Sequence, residues 1–154
     1  NKNNRVICGD VLSGTKINRD GYLGFYDTQL TVIKEGNEQE FFGWALPGFN
    51  KFSMSKSYFS WLFPKRKYEI DTNMRGEERA YVVTGQYEKV LPMDIYPQQL
   101  IKAIMIEDID LMEKLGLYEV GPEDLALCEF VCTSKIEVQS IIRHGLDILR
   151  KENL

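Results

Sequence analysis

The sequence predicts an α+β fold in two parts, strand-rich over residues 1–96 and a four-helix bundle over 97–154. Three observations predict it. Short runs dense in aromatic and β-branched residues, punctuated by glycine, fill the first part. From Pro97 onward the apolar residues recur at helical spacing instead. Near the end, Ser134 and Glu137 form an S-x-x-E pattern ahead of a long apolar stripe, the signature of a capped helix start.

The elements follow in order. RVICG, YLGFYD, QLTVIKEG and EFFGWAL read as strands separated by Gly14, Gly21 and Gly36. YEIDT and ERAYVVT flank NMRGE, which predicts a hairpin turning at Gly76. Between these groups, Phe52, Phe59 and Phe63 recur at near-helical spacing and predict a crossover helix over 51–63. Leu100, Ile101 and Ile104 make the first apolar stripe of the second part. Pro97 suits its first turn, where the amide hydrogen it lacks would have no partner. A second helix, Ile109 to Leu115, stops at Gly116. A third opens with Pro122, Glu123 and Asp124, whose carboxylates favour the positive end of a helix dipole. The fourth carries Val138, Ile141, Ile142, Leu146 and Leu149. Four helices closing on one another is the economical packing.

With 154 residues, 44% hydrophobic and 27% charged, the composition is that of a globular protein able to bury about 70% of its unfolded surface. No window approaches the roughly 18 uninterrupted apolar residues of a membrane span, and FFGWALPGFN is short and interrupted by Pro47. No secretory signal opens the chain, which begins at Asn1 and reads as a fragment or a processed chain. Three cysteines without a framework of spacings suit a reducing compartment, with cytoplasm the default. Residues 1–96 hold 13 Lys and Arg against 12 Asp and Glu, whereas 97–154 hold 6 against 11, which argues against a nucleic-acid partner. The glycines at 9, 14, 21 and 24 match neither G-x-G-x-x-G nor a P-loop, so no nucleotide cradle is predicted.

Two constellations merit a chemical reading. On one helix, Cys128 and Cys132 would share a face with Cβ atoms about 5–6 Å apart, too far for an unstrained disulfide. Structural zinc needs four ligands, and beyond this pair the soft donors are only Cys8 and His144. Buried thiols acting as small apolar residues are the simpler reading, as is a solvated helix surface for His144. The acidic run EDID at 107–110 fits a helix junction in water. The second constellation is Lys51, Lys56, Lys65, Arg66 and Lys67, with no acid from 51 to 67 and with Phe52, Tyr58, Phe59, Trp61 and Phe63 interleaved. It is the one partner surface the sequence offers. Near an anionic membrane five such charges contribute ~5 kcal/mol, only a loose hold by themselves. Aromatics packed in the core beneath solvated bases would explain the pattern equally well.

GDVLSG, YLGFYDTQLTVIKEG, FFGWALPGFNKFS, YVVTGQYEKVLPMDIYPQQLIKAI and EDLALCEFVCTSK together cover nearly the whole chain. In order and spacing they resemble the C-terminal part of the A subunit of the sodium-translocating NADH:quinone reductase. Thr133-Ser134 stand where the family pattern has Pro-Gly, and Val83-Thr84 where it has Pro and an apolar residue. The resemblance implies a peripheral subunit on the cytoplasmic face of a bacterial inner-membrane complex that passes electrons from NADH to quinone and exports sodium. It also implies a β-grasp-like module before the helices, similar to that of complex I relatives which carry iron–sulfur clusters in the helical region. Cys128 and Cys132 sit where those relatives place cluster ligands, but the close C-x-x-C-x-x-C run is missing. The resemblance therefore implies no cofactor and no catalytic residue in this stretch. Quinone belongs to the full-length protein, and NADH, flavins and iron–sulfur centres to other subunits. Two alternatives stand beside it: a metal-binding redox module using Cys128, Cys132, Cys8 and His144, and a soluble β-grasp adaptor for a small ligand or protein.

Overall fold

A computed structural model describes residues 3–36, 41–43, 45–53, 56–74, 76–82 and 84–154. The chain divides into two compact units, Asn1–Arg75 and Gly76–Leu154. Each is described by itself.

In the first unit, β1 (Asn4–Cys8) is the centre of a three-stranded antiparallel sheet, with β2 (Thr15–Ile17) on one side and β3 (Leu30–Lys34) on the other. Val6 lies opposite both Ile17 and Val32. The β1–β2 connection turns at Asp10, whose carboxylate accepts from the backbone of Leu12 (2.6 Å) and Ser13 (2.8 Å), a local ring typical of Asp in turns. The Arg5 guanidinium clasps Glu35 with two nitrogens, joining β1 to the end of β3.

RVICG and QLTVIKEG thus supply the expected strands, and TKI supplies one that the alternation did not announce. YLGFYD is not a strand. Gly21 N donates to Asn18 O (2.9 Å) and Asp27 N to Gly24 O (3.1 Å), so turns at both ends break the run. The described residues of EFFGWAL, with Glu40 and Trp44 outside them, form turns. The hairpin expected around Gly76 is also absent among the described residues. Thr72 instead donates to Lys34 O (3.2 Å) in an isolated bridge to β3, and Asp71 closes a turn on Asn73 N (3.0 Å). On the far side, Arg79 N donates to Ser134 O (2.8 Å) and Ala80 O accepts from the Ser134 hydroxyl (3.0 Å), occupying groups that a partner strand would need. Nor does 51–63 form the crossover helix; its described residues hold one 3-10 turn, Phe59–Leu62, and Met54 and Ser55 lie outside them. Ser53 Oγ accepts from Ser57 N (3.3 Å), Lys56 adopts φ 55°, and Pro64 forces the residue before it out of helical geometry.

The second unit has four α-helices: α1 (Pro97–Met105), α2 (Ile109–Lys114), α3 (Ala126–Val131) and α4 (Val138–Glu152). Helix α4 packs against the other three. Pro97 opens α1 as its chemistry dictates. Asp108, from the acidic run, caps α2 by accepting from Leu111 N (3.0 Å), and Gly116 ends that stretch with φ 83°. Ser134 does not cap α4, contrary to the S-x-x-E pattern, because its hydroxyl is committed to Ala80. The carboxylate of Glu129, on α3, accepts from Gln139 N (2.9 Å) instead. A residue ten positions upstream thus meets the need for an N-terminal acceptor.

The expected division at 96/97 marks where the helices start, but the compact unit reaches back to Gly76. Tyr87 and Leu91 are buried in its core and Tyr81 packs against it. Gln98, buried on α1, accepts from Thr84 N (2.7 Å) and donates to Glu88 (2.8 Å), tying the preceding segment to the helix. The core itself is Leu100, Ile101, Ile104, Met112, Leu117, Leu125, Val138, Ile142 and Leu149 with Cys128 and Cys132 among them. Gly145 is what lets α4 approach: a Cβ there would stand 2.9 Å from Ile104 Cγ1 and 3.0 Å from Leu117 Cδ2. Gly145→Ala gains helix propensity but overpacks this contact, so we expect a net loss of about 1–2 kcal/mol. The urea midpoint should fall with the slope unchanged; a rise would show that the contact has slack.

Candidate docking surface

The two units differ in how they treat apolar side chains. The second buries a continuous core, whereas the buried apolar residues described in the first are Ile7 and Cys8. The first unit instead exposes Tyr22 (92%), Phe25 (93%), Tyr26 (92%) and Phe41 (88%). Phe25 and Tyr26 meet edge to face with ring centroids 5.0 Å apart, but that contact leaves both rings in water. Monomeric proteins rarely expose so much large apolar surface unless something covers it. Reading YLGFYD as a strand hid this feature; the signal that could have found it is the pair of glycines, Gly21 and Gly24, within the run.

The basic segment lies in the same unit. Its scaffold is a turn at Gly48, which adopts φ 61° and lies under the Tyr58 ring, so a side chain there would meet both strain and the ring. Lys51 N donates to Gly48 O (3.0 Å) and Phe59 N to Pro47 O (3.0 Å), holding this turn against the 3-10 turn. Lys51 Nζ reaches Gly43 O (2.8 Å) and stands 5.4 Å from the Tyr58 ring centroid, a cation–π contact. Lys51 is therefore half-buried structure, while Lys56, Lys65, Arg66 and Lys67 are exposed. Arg66 Nη1 touches Phe49 O (3.4 Å).

Within the 3-10 turn the usual burial is inverted. Ser60 is buried (3%), while Phe59, Trp61 and Leu62, with Phe63 beside them, are about half exposed. These aromatics are not core residues beneath solvated bases. Leu62, Phe63, Pro64, Lys65 and Arg66 line a shallow, open depression, so apolar and cationic side chains share its lining.

The other predicted donors are divided between the two units. Cys8, in the first unit, donates its thiol to Asp27 Oδ2 (2.8 Å) and accepts from Gly24 N (3.3 Å). Cys128 and Cys132 are buried in the core of the second unit. His144 is exposed in a groove between α1 and α4, with Nε2 3.5 Å from Glu107 Oε1. Among the described residues no group of three or more His, Cys, Asp or Glu side chains is placed to hold a metal ion. What the sequence did not reveal is the polar company of the cysteines. Tyr81 and Tyr87 meet at a tilt with centroids 6.1 Å apart, and their phenol oxygens are buried close to Cys132. Burial pushes both phenols well above their ordinary value. It also pushes the Cys128 thiol up to about 11, with the negative charge of Glu88 adding to the effect. Such a thiol stays protonated at neutral pH and is a poor nucleophile and metal ligand.

No helix among the described residues is long and apolar enough to cross a membrane. No family model matches the chain. Over 149 residues, 96% of the chain, it is 46% identical to the A subunit of the Na(+)-translocating NADH-quinone reductase of Rhodopirellula baltica. It is 44% identical to that of Shewanella frigidimarina over the same length, and 46% identical over 151 residues to that of Haemophilus influenzae. This chain belongs to the A-subunit family of the Na(+)-translocating NADH-quinone reductase. It spans about a third of the length of the curated relatives it matches. The matched stretch takes in 96% of the chain and so reaches into both units.

The thiol environment carries a pH signature. The folded-state value of Cys128 rises from 9.0 to about 11, so the unfolded chain releases this proton first. Stability from keeping the thiol neutral is fully present below about pH 9 and lost as pH rises through 11, roughly 2–3 kcal/mol at the limit. Tyr81 and Tyr87 act in the same sense at pH above about 10. We expect the urea midpoint to fall steadily between about pH 8.5 and pH 11 and Cys128→Val to flatten the start of that fall; a flat profile in the parent chain would contradict this burial.

Proposed function

We propose that this chain is an accessory, cofactor-free region at the C-terminal end of the A subunit in a sodium-pumping NADH:quinone reductase. It sits on the cytoplasmic face of a bacterial inner membrane, docks to membrane subunits through the first unit, and contributes to quinone reduction as part of the full-length protein. NADH, flavins and iron–sulfur centres belong to other subunits. The observation that carries this reading is the 44–46% identity to A subunits over 96% of the chain. The exposed aromatics of the first unit supply the physical reason for docking. Covering one such ring stabilises an assembly by about 1.5–3 kcal/mol, so a few of them suffice for a stable contact.

The chemistry of the second unit's thiols favours a region without its own redox centre. The second unit buries Cys128 and Cys132 in its core beside neutral phenols, with the Cys128 thiol kept protonated, a poor starting point for iron–sulfur ligation. Its part is mechanical: a packed body within the larger protein.

The docking role is tested by replacing Tyr22, Phe25 and Tyr26 with Ser in the full-length protein and isolating the complex through a tag on one of the membrane subunits. Recovery of the variant should drop at least tenfold while the second unit stays folded; full recovery would sink the docking role. Titrating a quinone analogue into this chain and into the full-length protein should give a response in the longer protein only. Stoichiometric iron and sulfide in an anaerobic preparation of this chain would contradict the cofactor-free reading.

A further inference from the structure

We infer that the Phe59–Lys67 lip of the first unit rests on an anionic phospholipid surface. This goes beyond docking to membrane subunits and does not depend on it. The inverted 3-10 turn is the first ground: Ser60 is buried, and Phe59, Trp61, Leu62 and Phe63 are held half in water by a turn that Phe63 N closes on Ser60 O (3.0 Å). A turn that hides its hydroxyl residue and shows its indole, phenyl and isobutyl groups is built for an apolar neighbour. Aromatic and Leu side chains of this kind insert at the boundary between headgroups and acyl chains.

Charge decides which apolar neighbour. Lys65, Arg66 and Lys67 follow the exposed apolar residues directly, Lys56 precedes them, and no acid lies between 51 and 67. The first unit holds 11 Lys and Arg against 8 Asp and Glu, a net of +3, while Gly76–Leu154 holds 8 against 15, a net of −7. Exposed apolar residues Leu62 and Phe63 directly beside exposed Lys65, Arg66 and Lys67 match acyl chains beneath phosphate headgroups. A protein partner would need a matching acidic surface around an apolar knob, whereas an anionic bilayer presents both everywhere. The lip reaches the membrane without a spanning segment, as a peripheral contact.

The test uses the 154-residue chain and phosphatidylcholine vesicles with and without phosphatidylglycerol, read by co-sedimentation at low salt. Binding should require phosphatidylglycerol and weaken as salt is raised. Each cation is worth about fivefold, so the combined change Lys65→Gln, Arg66→Gln, Lys67→Gln should weaken binding roughly a hundredfold. These side chains are exposed, so the variant should keep the parent's circular dichroism and urea midpoint. Tryptophan emission should shift to the blue on binding, and Trp61→Phe should shrink the shift while leaving most of the binding. Equal binding to vesicles without phosphatidylglycerol, or an unchanged variant, would overturn the inference. If the triple variant leaves vesicle binding intact but lowers recovery in the complex, the lip is a protein contact. The lipid assignment then falls while docking stands.

Discussion

The approach of α4 to α1 is the constraint on which the second unit depends. Gly145 removes the one side chain that would hold them apart, and Ile104 and Leu117 fill the space it leaves. Ile142 and Leu149, on the same helix face, can then reach the core where Cys128 and Cys132 act as small apolar filler. That packing also draws in what precedes the helices. Tyr87 and Leu91 enter the same core, and Gln98 bonds to Thr84 and Glu88, so the unit begins at Gly76 and not at the first helix.

The first unit is the complement of this arrangement. Its sheet is three short strands with little buried beneath them, and its largest apolar side chains face water. Folding contributes little burial there, so association has the more to contribute. That surface is the ground for the docking role proposed for this unit. The function proposed for this piece of the protein therefore rests on surfaces. The cluster of Tyr81, Tyr87 and Cys128 is neutral and enclosed, a set of groups kept from reacting.

Much of the helical part was legible in the sequence because its signals are local and physical. Pro97 can start a helix but not sit inside one, Gly116 can take the left-handed turn that ends one, and the stripe from Val138 to Leu149 has a period only a helix satisfies. RVICG and QLTVIKEG were legible for the same reason. What failed were the signals that depend on distant partners. Ser134 has the residue type of a cap, but Ala80 takes its hydroxyl, and Glu129 does the capping from another helix. Aromatic content suggests a strand in YLGFYD, and in KFSMSKSYFSWLF a helix that could serve either core or partner surface; aromatic rings serve both, and composition does not say which. The shortage of soft donors, only Cys8 and His144 beyond the Cys128 and Cys132 pair, was plain to read. The buried phenols beside the thiols were not, because Tyr81 and Tyr87 reach them only through the packing of a segment with no helical or strand period.

The most direct measurement is amide hydrogen exchange on the 154-residue chain, residue by residue. Cohesion concentrated in the second unit predicts that α1 and α4 exchange only through global unfolding, while β1, β2, β3 and the 59–62 turn open at much lower free energy. Equal protection in both units would mean that the first has a core of its own, and its exposed aromatics would then need no cover.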